Sequence, residues 1–238
     1  MPAKISFALG ILGAVAVVVL VFLFQAGDFD FSFLDFSNRI EVARSTQVNS
    51  AVTIVTAADH VRGAEDPKII WIEYGDFECT SCEEFYLTGK NILFNYSDSV
   101  LFVYRHYPFP THPGAEMKAV AAECAGELAG EEAFWLFHDL IFELTASGAG
   151  GLSVTELLPI AVELGFDRED FSKCLYSDRY EDRITQDLII GIEGGVQGTP
   201  TSFVIGPDGE VTIISGAISY SAASSLIEEL LAGSQNSQ

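Results

Sequence analysis

Hydrophobic and polar positions divide this chain into three parts. Ile5 to Phe24 is an unbroken apolar run without a charge, long enough as a helix to cross a bilayer core. Residues 25–57 then mix polar and aromatic positions without a period. They predict a tether, with Phe29, Phe31, Phe33 and Phe36 resting on a membrane interface or on the domain that follows. From residue 58 onward, regular patterns take over. "KIIWIEYGDF" (68–77) reads as a buried strand between Pro67 and Gly75. A helix is predicted from Ser81 to about Phe94. "VLFVYR" (100–105) is a second apolar strand, ending in the loop "HYPFPTHPG".

The middle of the chain is helical. "AEMKAVAAECAGELAG" is Ala-rich and stops at Gly130, and "EEAFWLFHDLIFEL" repeats its apolar positions at helical spacing. In the latter, "FWLFHDL" is predicted to pack inside a helical layer, with His138 at its polar edge. "SVTELLPIAVELG" opens with Ser153 and Glu156 in capping-box spacing. "REDFSKCLYS" and "YEDRITQDLIIGIEGG" add two more helices. Strand signals return in "TSFVIG" and "EVTIISG", joined by a turn at Pro207-Asp208-Gly209, and an amphipathic helix from Ser221 to Leu231 closes the pattern. No segment repeats. The order is strand, helix, strand, helical block, long helix, hairpin, helix. A small α/β sheet carrying a helical insertion fits it.

Charge changes the picture in two ways. The chain carries 34 acids against 12 bases, a net charge of −22, and no basic stretch that could neutralise phosphates, which excludes nucleic acid as a partner. Around the apolar run, Lys4 is the only charge on the N-terminal side, while Asp28, Asp30 and Asp35 follow it. That asymmetry predicts residues 1–4 in the cytoplasm, a single-pass anchor at 5–24, and everything later outside, in the periplasm or at the cell exterior. A cleaved signal peptide is the rival, but its apolar core would be shorter and no A-x-A site follows. Either way the remainder lies where disulfides persist.

The chain has four cysteines, two of them in "GDFECTSCEEF" (75–85). Structural zinc needs four ligands, whereas Cys124 and Cys174 stand alone and His106 and His112 lie in a Pro-rich loop. A copper carrier using Cys79, Cys82 and a histidine or methionine remains an alternative. A permanent staple would close too short a loop to gain much chain entropy. Redox chemistry suits the context: a strand runs into Gly75-Asp76-Phe77 and a helix begins at the cysteines. Cys79 would sit at the helix N-terminus, where free N–H groups favour a thiolate, with Cys82 shielded one turn in. Glu78, Glu83 and Glu84 crowd the same spot with opposing charge.

"DHVRGAEDPKIIWIEYGDFECTSCEEF" resembles the opening of the DsbA-like thiol:disulfide oxidoreductases of the thioredoxin superfamily. The resemblance continues through "YRHYPFPTHPGAEMKAVAAECAG", "FWLFHDLIFE", "FSKCLYSDRYEDRITQDLIIGIEGGVQGTPTSFVIG" and "GAISYSAASSLIEELL". It covers roughly residues 58–232. It implies a thioredoxin fold over 58–238 with a helical insertion at about 112–178, and a catalytic Cys79/Cys82 pair facing a cis-proline loop at Thr199-Pro200 that pairs with an extended substrate. It further implies a buried acid, Glu73, as proton acceptor for Cys82, and a structural disulfide between Cys124 and Cys174. Without the resemblance, Thr199-Pro200 would read as an ordinary trans turn and Glu73 as a carboxylate at a strand edge.

The implied activity is the introduction of disulfides into unfolded exported proteins. A quinone-linked membrane oxidase of the DsbB or VKOR type would reoxidise the pair, and neither metal nor organic cofactor is required. A reductase or isomerase of the same fold is the enzyme alternative. One departure matters: the residues between the cysteines are Thr80-Ser81, not the Pro-His of the most oxidising members, so no imidazole flanks Cys79. His106 and His112 resemble loop residues of the family and are given no catalytic role.

Overall fold

The computed structural model describes residues 41–45, 48–146 and 152–235. The expected anchor at 5–24 and the greater part of the expected tether lie outside them, and no described helix is long and apolar enough to cross a membrane. Among the described residues six strands form one mixed sheet: β1 (Glu41–Ser45), β2 (His60–Gly63), β3 (Ile69–Gly75), β4 (Val100–His106), β5 (Thr201–Ile205) and β6 (Val211–Ser215). Their spatial order is β1-β6-β5-β3-β4-β2. Only β3 and β4 run parallel, with Glu73 opposite Tyr104 and Tyr74 opposite Arg105. The crossover between them is α2 (Thr80–Tyr96), which follows a single-turn helix, α1 (Ser50–Thr53).

β3 and β4 read as continuous apolar runs because both faces of the sheet are covered. On one face, Ile69, Trp71, Val100, Phe102 and Tyr104 join the core built with α2 and the helical insertion. On the other, Ile72, Tyr74, Val103 and Phe203 pack with Val52 of α1 and Leu188. The insertion comprises α3 (Ala115–Ala129), α4 (Glu131–Ala146), α5 (Leu157–Glu163) and α6 (Arg168–Leu175). α3 stops because Gly130 takes a φ of +89°, open to glycine and strained for other residues. Ser153 and Glu156 form the expected capping box ahead of α5. α7 (Glu181–Glu193) returns the chain to the sheet, and α8 (Tyr220–Gln235) closes the fold.

Three features depart from the sequence pattern. Within the expected tether, the described residues 41–45 and 50–53 are structured: β1 pairs antiparallel with β6 along its whole length. β1 sits at a sheet edge with Val42 54% exposed, so it lacks the apolar periodicity of a central strand. β2 is the other edge strand, too short to show a period. Finally, His138 is not a polar edge. It is 2% exposed, with the rings of Tyr104, Trp135 and Phe142 at 4.6, 5.0 and 5.0 Å. α4 turns it inward, and burial pushes its pKa down to about 4.

Candidate active site

β3 ends at Gly75, and four residues later the chain enters α2 with Cys79 as the N-cap. The turn is held by the Cys79 N–H donating to the Asp76 carbonyl at 3.1 Å. Cys82 lies on the buried side of the first turn, fully enclosed, and its sulfur accepts from the Asp76 N–H at 3.4 Å. Cys79 is partly exposed, and both are free thiols. Its Sγ donates to the Thr199 carbonyl at 3.1 Å, which joins the cysteine turn to a loop 120 positions away. The Thr199–Pro200 peptide is cis. Beside that loop lies a depression of about 370 Å³, lined in part by Gly198, Thr199, Pro200, Ser215 and Ala43 of β1.

The two sulfurs differ sharply in acidity. Cys79 is lowered to about 6, first by the hydrogen bond from the Cys82 thiol, then by hydrogen bonding with Thr199 and by the N–H groups of Cys82 and Ser81, against the opposing effect of burial. Cys82 is pushed well above the usual thiol range, chiefly by burial and then by its bond to Cys79 and the charge of Glu73. Glu73 is 3% exposed, and burial pushes its carboxyl up to about 8. Its cross-strand neighbour Tyr104 is fully buried, and the Tyr104 hydroxyl has no hydrogen-bond partner among the described residues.

Asp76, Glu78, Gly114 and Lys118 frame the cysteines through contacts that the sequence did not announce. The Asp76 carboxylate accepts from the N–H groups of Glu78 and Phe109 at 2.7 and 2.8 Å and pairs with His112 Nδ1 at 2.7 Å. Glu78 accepts from the Gly114 N–H at 3.0 Å and from Lys118 Nζ at 2.9 Å. A Cβ on Gly114 would sit 2.2 Å from the Glu78 carboxylate, so only glycine permits that approach. Burial opposes ionisation of Glu78, but Lys118 and the Gly114 N–H hold its carboxyl below the usual range. Glu78 is therefore a matched charge rather than a repulsive one beside Cys79. Lys118 lies on an Ala-rich helix and is 3% exposed, a burial that only the tertiary contact explains.

The other cysteines stand apart from this site. Cys124 of α3 and Cys174 of α6 form a disulfide with a Cα–Cα distance of 5.8 Å. Among the described residues no group of three or more His, Cys, Asp and Glu side chains is arranged to hold a metal.

The family described as Thioredoxin matches residues 55–229. The Na(+)/H(+) antiporter NhaA 3 of Salinispora tropica is 38% identical over 149 residues, 62% of this chain and 22% of that protein. The chain thus spans less than a quarter of the curated relatives it matches. Among solved structures, DsbA2 of Pseudomonas aeruginosa is 27% identical with a TM-score of 0.60, covering 74% of this chain and 97% of that one. The thiol-disulfide exchange protein alpha-DsbA2 of Wolbachia pipientis, at 20% identity, shares the fold with a TM-score of 0.63 over 76% of this chain and 90% of that one. Sheet, insertion and matched family agree: the chain belongs to the thioredoxin superfamily, as a DsbA-like member.

Proposed function

We propose that this chain is a thiol:disulfide oxidoreductase that introduces disulfides into exported proteins. The observation that carries the reading is the asymmetry of the pair: an accessible sulfur of low pKa beside an enclosed one of high pKa. In the oxidised state, a substrate thiolate attacks Sγ of Cys79. The Cys79–Cys82 bond breaks, and the Cys82 sulfur leaves as a thiolate that needs a proton. Glu73 is protonated near neutral pH and supplies it. The second substrate thiolate then attacks the substrate's own sulfur in the mixed disulfide. Cys79, a good leaving group at a pKa of about 6, departs as its thiolate. Two electrons have passed from substrate to enzyme.

The lowered Cys79 pKa also favours the reduced form. A depressed thiol pKa stabilises the reduced fold above the ordinary thiol value, and that stabilisation is lost as pH falls through about 6. At pH 7 it amounts to at most ~1.4 kcal/mol, less after solvent screening of a partly exposed group. That is ~30 mV toward the oxidising side. The cis-proline loop would supply backbone to an extended substrate, and the Cys124–Cys174 bond would support the insertion without entering turnover. The apolar run at 5–24 would anchor the catalytic domain outside the cytoplasm. A quinone-linked membrane oxidase would accept the electrons.

The test is a pair of variants. Cys79→Ser should abolish oxidation of a dithiol peptide, whereas Cys82→Ser should retain substrates as mixed disulfides at Cys79. Trapping by the Cys79 variant instead would reverse the roles. A potential at or below that of the compartment's thiols would turn the net flow toward reduction.

A further inference from the structure

A second depression lies on the insertion side of the cysteine turn. It encloses about 510 Å³ between the first turn of α3 and the segment joining α6 to α7. Met117, Val120, Leu175 and Tyr176 give it apolar walls, and Tyr176 is 66% exposed. Among the described residues its charged lining is entirely acidic: Glu116, Asp178 and Glu181, all exposed. Nearby bases are engaged elsewhere, Lys118 with Glu78, Lys173 with Glu169, Arg179 with Glu127 and Arg183 with Asp187.

A short chain of residues links this depression to the cysteine turn. Pro113 lines it, and Gly114 bonds to Glu78, the residue before Cys79. We propose that it is a subsite for the substrate polypeptide, taking an extended segment of apolar side chains flanked by lysine or arginine close to the reacting cysteine. The proposal rests on Cys79 being the exchanging thiol. Apolar side chains of the segment fill the walls, while its cations meet three carboxylates with no competing base in the lining. An acidic segment meets like charge on every side and is rejected. Such complementarity acts on encounter rate and partner choice more than on final affinity.

The test uses the full chain and two labelled, cysteine-free peptides of the same apolar sequence, one carrying lysines and the other glutamates. Fluorescence anisotropy at low ionic strength should show the lysine peptide binding ~10-fold or more tightly, with the preference fading in salt. Glu116→Lys/Asp178→Lys/Glu181→Lys should erase the preference, and the neutral Glu116→Gln/Asp178→Asn/Glu181→Gln variant should fall between. Glu65→Lys/Asp66→Lys/Asp98→Lys changes net charge equally beside the far ends of β3 and β4, and should keep it. The subsite is refuted if the first variant binds as wild type does, or if the distant variant loses as much, since diffuse charge then accounts for the preference. It is equally refuted if binding tracks self-association of the chain. Oxidation of dithiothreitol by the wild-type protein tests the exchange chemistry separately: a chain that oxidises it but ignores peptide charge keeps its function and loses this subsite. A chain that discriminates between peptides but leaves dithiothreitol reduced keeps a cationic-peptide site and loses the exchange reading.

Discussion

Among the ionisable side chains buried on the neighbouring strands β3 and β4, Arg105 and Glu73 make a contrast: the first is held by hydrogen bonds and the second is not. Arg105 of β4 is 2% exposed and points to the α1 side of the sheet. Its guanidinium donates to both oxygens of Asp59 at 2.7 and 3.1 Å, to the carbonyls of Val52 and Ile54 at 3.0 and 2.6 Å, and to the Tyr74 hydroxyl at 2.9 Å. Glu73 of β3 is buried too, but burial raises the pKa of its carboxyl with only the charge of Arg62, and no hydrogen bond, working against it. A satisfied buried charge clamps structure, here the segment from α1 to Asp59 against β4. An unsatisfied one titrates, and titration within the field of two sulfurs is chemistry.

The comparison can be broken first at Arg105. Arg105→Met keeps much of the volume but strands the Asp59 carboxylate, whose side chain is 4% exposed. It should cost ~3–5 kcal/mol in urea unfolding, and Arg105→Met/Asp59→Leu should recover most of that. A single variant within 1 kcal/mol of wild type, read on the ~0–1 kcal/mol scale of surface pairs, would make the clamp ornamental.

Glu73→Gln should behave in the opposite way. The folded carboxyl has its pKa raised to about 8, whereas the unfolded value is near ~4.3. Between those limits the fold holds a proton that the unfolded chain has released. Stability is therefore fully present at low pH and falls as pH rises through the window, by up to ~1.4 kcal/mol per unit. Glutamine does not titrate, so the variant should match wild type near pH 4 and exceed it by ~2 kcal/mol or more at pH 8. Dithiol oxidation should meanwhile slow ~10-fold or more. Parallel stability profiles for the two proteins would mean that Glu73 is ionised in the fold.

The smallest effect tests Glu78, the matched charge that precedes Cys79. Glu78→Gln removes the partner of the buried Lys118 ammonium and leaves that cation acting alone near Cys79. Thiolate absorbance should place the Cys79 midpoint a fraction of a unit below its wild-type value of about 6. An upward shift would assign Glu78 a different role.

Local features were legible in the sequence. β3, the cysteine turn and α2 form one contiguous stretch, and a central strand covered on both faces announces itself by hydrophobicity alone. The cis-proline loop and the Cys124–Cys174 pairing were expected only through family resemblance, because both join distant positions. What stayed illegible depends on tertiary contacts. β1 hides its strand character at an edge, and Lys118 looks like a solvated helix residue until Glu78, 40 positions earlier, is brought against it. The Arg105 clamp escaped for the same reason, since its partners lie in a segment without a pattern of its own.

Asp76 has a consequence for timing. Its carboxylate gathers donors from its own turn and from the 109–112 loop, while Glu78 fastens the adjoining residue to α3. The turn that carries the nucleophile is thereby splinted on two sides, and the backbone around Cys79 has little freedom to reach outward. Under the proposed function the approach would be made by the client: a slack chain could deliver its sulfur to a stationary target, whereas a folded one would first have to open. The rate of disulfide formation should then follow the suppleness of the client, a clock by which the protein would distinguish chains still folding from those already finished.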